Sequence, residues 1–160
     1  MAISFSDTHA MSLVTPHLAQ GERVLSRARG VEKPWYSQLL SRFGSFLWRN
    51  YLIVATDQRV IFVQHAGLLG GYAAKKVDAI GWHEVDQAHL GWGVFNKNLT
   101  VRSTQRDFKK TVVLGRFWMK DNFAGAEQLV GAWGQARAAL PASTLRSLPP
   151  QAATQAAYQH

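Results

Sequence analysis

The densest apolar runs lie near the middle of the chain. Tyr51-Leu52-Ile53-Val54-Ala55 and Val60-Ile61-Phe62-Val63 flank the polar stretch Thr56-Asp57-Gln58-Arg59. Short runs rich in β-branched residues, joined by turn formers, predict two buried strands paired as a hairpin over residues 50–65. Further extended segments surround it. Residues 22–31 set Val24 and Ala28 on a different rhythm from Arg23, Arg27 and Arg29, and residues 77–85, 87–92, 99–103 and 108–114 follow at short spacing. Glycines at 67, 70, 71, 91 and 93, with Asn96-Lys97-Asn98 and Gln105-Arg106-Asp107, supply the turns. Such a succession predicts a mainly β domain, an antiparallel barrel or sandwich.

The period changes at both ends. Ser6 or Asp7 is placed to cap a short helix carrying Ala10, Met11, Leu13 and Val14; Thr15-Pro16 restarts it and Gly21 ends it. Near the C-terminus, Asp121 or Asn122 is placed to cap a helix with Phe123, Ala126, Leu129, Val130, Trp133 and Leu140 along one stripe, stopped by Pro141. Phe123, Leu129 and Trp133 are the face expected to plug the barrel. The reading divides the chain into a helical segment over 1–20, a domain over 21–140 with an insert at 32–49, and a disordered tail over 141–160.

The insert carries the most chemistry. From Lys33 to Arg49 there is no acidic residue, and Trp35, Tyr36, Leu39, Leu40, Phe43, Phe46 and Leu47 recur at the spacing of one helical face after Pro34. Gly44 weakens that helix by about 1 kcal/mol. Two readings follow. The aromatics can sit at a membrane surface, with Lys33, Arg42 and Arg49 over anionic headgroups. Alternatively they are buried against the barrel or a second copy, because a free monomer rarely exposes so large a patch; burial is the preferred reading. The candidate partner- or lipid-binding residues are Lys33, Trp35, Tyr36, Arg42, Phe43, Trp48 and Arg49.

Composition narrows the classes. The 160 residues suffice for one domain with a core, and the absence of cysteine excludes disulfides, thiol nucleophiles and Cys-based metal sites. Eighteen Lys+Arg against ten Asp+Glu give +8, which favours anionic partners without choosing among them. Residues 1–20 lack a secretory pattern and the 35–54 stretch is too polar to span a bilayer, so a cytoplasmic, at most membrane-peripheral, protein is expected. His83-Glu84 and His89 lack the i, i+4 helical spacing of a zinc site, and no metal or cofactor is expected. Gly67-Leu68-Leu69-Gly70-Gly71 before Lys75-Lys76 reads as a turn, not a phosphate cradle. Asp78, Glu84 and Asp86 form no recognisable catalytic set, and no enzyme is expected. Arg102, Arg106, Lys109, Lys110, Arg116 and Lys120, interleaved with Phe108, Phe117 and Trp118, offer a nucleic-acid alternative. The simpler reading buries Phe108 and Trp118 and turns the cations to water.

Leu18-Ala19-Gln20-Gly21-Glu22-Arg23-Val24-Leu25 resembles the opening of bacterial pleckstrin-homology-like domains, and Tyr51 through Val63 resembles their "T-x-x-R-[IVL]-[IV]-F" hairpin. Lys76-Val77-Asp78-Ala79-Ile80 and Leu90-Gly91 are similar to later strands, so the likeness runs from about residue 18 to 137. Eukaryotic GRAM domains share a similar hairpin. The resemblance implies a seven-stranded, partly open barrel capped by a C-terminal helix, and a binding module for a protein partner or itself. Lipid binding is the alternative: in phosphoinositide-binding members the loop after the first strand carries the cations, although their Lys-x-basic arrangement is absent here. Thr56 and Arg59 are expected to be structural.

Overall fold

The computed structural model describes residues 7–33, 48–65, 74–119 and 121–139. Helix α1 (Asp7–Val14) and a 3-10 turn (Thr15–His17) precede β1 (Val24–Glu32), β2 (Arg49–Thr56), β3 (Arg59–His65) and β4 (Ala74–Gly81). A second 3-10 turn (Trp82–Glu84) leads to β5 (Gln87–Leu90), β6 (Asn96–Ser103), β7 (Phe108–Gly115) and α2 (Asn122–Ala138). The expected insert helix at 34–47, the glycine turn at 67–71 and the tail over 141–160 lie outside the described residues.

The strands form one seven-stranded antiparallel sheet in the order β4-β3-β2-β1-β7-β6-β5. It is open: β4 and β5 are its edges. Side chains span the opening instead. Lys110 on β7 donates to Asp78 on β4 at 3.0 Å, and Arg106 in the β6–β7 turn donates to the Ala79 carbonyl at 3.1 Å.

The central hairpin is apolar throughout because both of its faces are covered. Tyr51, Ile53, Ala55, Val60 and Phe62 point into the main core with Leu99, Val101, Val112, Leu114 and Leu129. Leu52, Val54, Ile61 and Val63 point the other way, under Ala10, Leu13 and Val14 of α1 and Met119. Alternation of side chains across the pleat then requires an apolar residue at every position. Each such burial contributes about 1.5–3 kcal/mol.

The C-terminal helix closes one side of the core. Ala126 and Leu129 are fully buried, while Phe123, Val130 and Trp133 are half-buried against the core. Its approach is close: a Cβ on Gly125 would stand 1.9 Å from the Arg27 carbonyl oxygen. The capping expectation fails in detail. Asp121 is the boundary residue, in the left-handed region at φ 56°, and gives no side-chain cap. The Asn122 amide is spent on the strands, where Oδ1 accepts from Arg29 N at 2.6 Å and Nδ2 donates to the Arg29 and Gly115 carbonyls at 2.9 and 2.8 Å. It bridges β1 and β7 where their ladder ends.

Two other boundaries move. The strand expected over 77–85 stops at Gly81, whose N–H donates to the Glu84 carboxylate at 3.0 Å while the chain coils into the 3-10 turn. The strand expected over 87–92 ends at Leu90, which leaves Trp92 in a connection.

Candidate functional site

The motif shared with the opening and hairpin segments builds a buried clamp. Glu22, whose side chain has no exposed surface, takes Arg59 Nε at 2.8 Å and Nη2 at 2.7 Å. It also accepts from the Thr56 hydroxyl and the Ala19 N–H, both at 2.7 Å. Arg59 Nη2 reaches the His17 carbonyl at 2.9 Å, so the clamp ties the segment after α1 to the β2–β3 turn. The Arg59 hydrogen bonds, working against burial, hold the Glu22 carboxyl at about 2. Both Glu22 carboxylate oxygens, the Thr56 hydroxyl and Arg59 Nε and Nη2 are all engaged within the chain, which fits a structural role for Thr56 and Arg59.

Of the candidate binding residues, the structure places three. Lys33 stands exposed at the end of β1, its Nζ 4.5 Å from the centre of the half-buried Trp48 ring. Arg49 opens β2, exposed, 3.8 Å from the Glu32 carboxylate. Glu32 also accepts from the Tyr51 hydroxyl at 3.1 Å; burial first, then Glu32, pushes that phenol up to about 12. Trp35, Tyr36, Arg42 and Phe43 lie outside the described residues.

The basic–aromatic stretch from 102 to 120 is split. Arg102 and Lys109 face each other across β6 and β7, both exposed. Lys110, expected to face water, is turned inward with 7% exposure. Its Nζ lies 4.1 Å from the centre of the Tyr51 ring and 5.4 Å from that of Phe108. The reason is its partner. Asp78, though burial disfavours its charge, is kept below its ordinary range by hydrogen bonds from Lys110 and Lys76. Phe108 packs on the core. Arg116 and Phe117 sit at the far end of β7, and Lys120 lies outside the described residues.

That far end holds what the sequence reading missed. The β5–β6 connection presents Trp92, Val94 and Phe95 at 91%, 51% and 66% exposure, and the β7–α2 connection presents Phe117 at 80%. Arg116 N donates to the Phe95 carbonyl at 2.9 Å and pins the two connections together, while Gly91 N, donating to the Asn98 carbonyl at 2.8 Å, closes the β5–β6 connection on itself. Gly93 allows the sharp turn, since a Cβ there would fall 1.9 Å from the Asn96 carbonyl oxygen. Between the connections and the start of α2 lies a cleft of about 810 Å³, with Trp92, Val94 and Phe117 on its wall and Met119 and Phe123 among its lining. Lys97 and Glu127, also lining it, pair at 2.7 Å. The signal in the sequence was a tryptophan between two glycines, an apolar residue where pairing cannot bury it.

An open antiparallel seven-stranded sheet closed on one side by a C-terminal helix, with a short N-terminal helix on its outer face, defines a pleckstrin-homology-type domain. The family described as "Bacterial PH domain" matches residues 18–121. The chain belongs to that family. Among solved structures it is similar to a pleckstrin homology domain from Shewanella amazonensis SB2B, at 15% identity over 78% of this chain and 95% of that one, TM-score 0.45. It is also similar to a DUF1696 family protein with a pleckstrin-homology domain from Shewanella loihica PV-4, at 10% identity over 80% and 92%, TM-score 0.45. The hSac2 domain of human phosphoinositide phosphatase Sac2 gives 12% identity over 84% and 86%, TM-score 0.48. No curated protein matches the chain in sequence. Among the described residues, no helix is long and apolar enough to cross a membrane.

Proposed function

We propose that this chain is a non-catalytic docking module that contacts protein through the aromatic pole formed by Trp92, Val94, Phe95 and Phe117. One observation carries the reading: large apolar side chains from two separate connections stand exposed around one cleft, while the other aromatics among the described residues are buried wholly or in part. Rigid aromatic anchors beside a cleft are what protein contacts favour, since their burial is large and their ordering cost small. Replacing Phe117 with the photoreactive p-benzoylphenylalanine in the full chain, in its native cells, tests it. Discrete protein adducts that vanish with Trp92→Ser are expected. Equal labelling from the distant position of Lys109, or adducts with lipid alone, would overturn it.

A second reading rests on Lys33 stacked over Trp48 beside Arg49, a basic–aromatic edge suited to an anionic lipid surface. Sedimentation with vesicles rich in phosphatidylserine, lost in a Lys33→Glu/Arg49→Glu variant, supports it; unchanged sedimentation removes it.

A further inference from the structure

We propose that the occupant of the aromatic pole is a second copy of this chain, docked about a two-fold axis so that Arg116 of each copy faces Asp121 of the other. This rests on the docking reading above and names its partner. The first ground is area. Three aromatic rings at their observed exposures present on the order of 500 Å² of apolar surface. Two poles face to face would bury on the order of 1,000 Å², the lower bound for a specific interface.

The second ground is charge. A chain of net charge +8 repels its own copies, so it can meet itself only where charge is locally balanced. Among the described residues lining the cleft the charge is balanced, Lys97 and Arg116 against Asp121 and Glu127. An acidic membrane would instead require a local excess of cations. Lys97 and Glu127 satisfy each other within the chain, which leaves Arg116 and Asp121, both exposed, with no ion-pair partner among the described residues. A two-fold axis brings a surface against itself and pairs two such residues twice over. One patch therefore supplies both the apolar contact and its own complement.

Sedimentation velocity and light scattering of the full chain, from micromolar to submillimolar concentration, test this. A dimer is expected. Trp92→Ser/Phe117→Ser should be monomeric over the same range, and should melt with the wild type at dilutions where the wild type is itself monomeric. Arg116→Asp and Asp121→Arg should each weaken self-association by about tenfold or more, and their equimolar mixture should restore it as a heterodimer. Asp121→Asn, which tolerates the left-handed backbone, is the control should Asp121→Arg melt early; it too should weaken the dimer. A monomeric wild type, a dimer that survives the double serine variant, or a mixture that fails to recover would each overturn the proposal. A monomeric wild type whose Phe117 position still labels another protein would leave the docking reading standing and remove the second copy. Vesicle binding lost with Trp92→Ser, in a chain that stays monomeric, would replace both with a membrane.

Discussion

The clamp around Glu22 and the pole around Trp92 use the same kinds of residue in opposite ways. At the clamp, a carboxylate is drawn wholly inside against a guanidinium that stays partly exposed, and Thr56, Ala19 and His17 add hydrogen bonds to the pair. At the pole, aromatics that could have been buried are held out by short connections pinned to one another. The clamp spends its carboxylate within the chain. The contrast is between a recognisable motif that maintains the fold and, among the described residues, an exposed aromatic surface that lies in turns with no motif.

The largest effect should come from breaking the clamp. Arg59→Ala strands the buried Glu22 carboxylate without its counter-charge, and removing one partner of a buried pair costs about 3–5 kcal/mol. Urea unfolding should show a loss of that size with little change in the slope of the transition. A loss under about 1 kcal/mol would mean that water reaches Glu22, placing it with exposed surface pairs.

Acid should probe the same contact more gently. Glu22 sits at about 2 in the fold against an ordinary 4.5, so its pairing stabilises the fold above pH 4.5 and is lost as pH falls toward 2. The shift corresponds to roughly 3 kcal/mol at neutral pH. Urea midpoints of the wild type should therefore drop between pH 4.5 and 2, and Glu22→Gln should flatten that limb. A parallel limb in the variant would assign the acid sensitivity to other carboxylates, with Asp78 next in line.

A smaller loss tests the frame that carries the pole. Gly125→Ala drives a methyl into the Arg27 carbonyl oxygen, and the helix must lift from β1 to relieve it, at a cost of about 1–3 kcal/mol. The same lift would displace Phe123 and so reshape the cleft. Thermal unfolding measures the first consequence, and self-association the second.

The sequence announced the hairpin because two-sided burial forbids polar residues along it, leaving an uninterrupted apolar run from Tyr51 to Ala55. It announced both helices by their stripes. It did not announce where β4 ends, because Gly81 is turned aside by Glu84, a carboxylate that also takes Arg106 from a turn 22 residues away. Lys110 was read as a solvated cation for the same reason: its burial depends on Asp78, 32 residues away in the chain. Local pattern groups the candidate binding residues in one helical insert over 32–49. Lys33, Trp48 and Arg49 instead stand together where β1 ends and β2 begins, because the Glu32–Arg49 strand pairing joins the two ends, and the other four lie outside the described residues. The pole was illegible because its aromatics come from two connections, and only the pairing of Arg116 with Phe95 brings these together.

The smallest expected effect on stability is the one that separates the two regions most sharply. Trp92 is 91% exposed and Phe117 80%, so neither loses appreciable packing when replaced by serine, and each substitution should fall within about 0.5 kcal/mol of the wild type. Exposed apolar side chains are retained at no benefit to the fold, and their removal should if anything raise solubility. Chemical unfolding of Trp92→Ser and Phe117→Ser, at dilutions where the wild type is monomeric, checks this directly. A loss above 1 kcal/mol in either would show that the ring packs on its own domain, and the pole would then be a second structural element rather than a counterpart to the clamp. If both variants melt with the wild type while the Arg59→Ala domain unravels, folding and contact reside in separable parts of one small sheet.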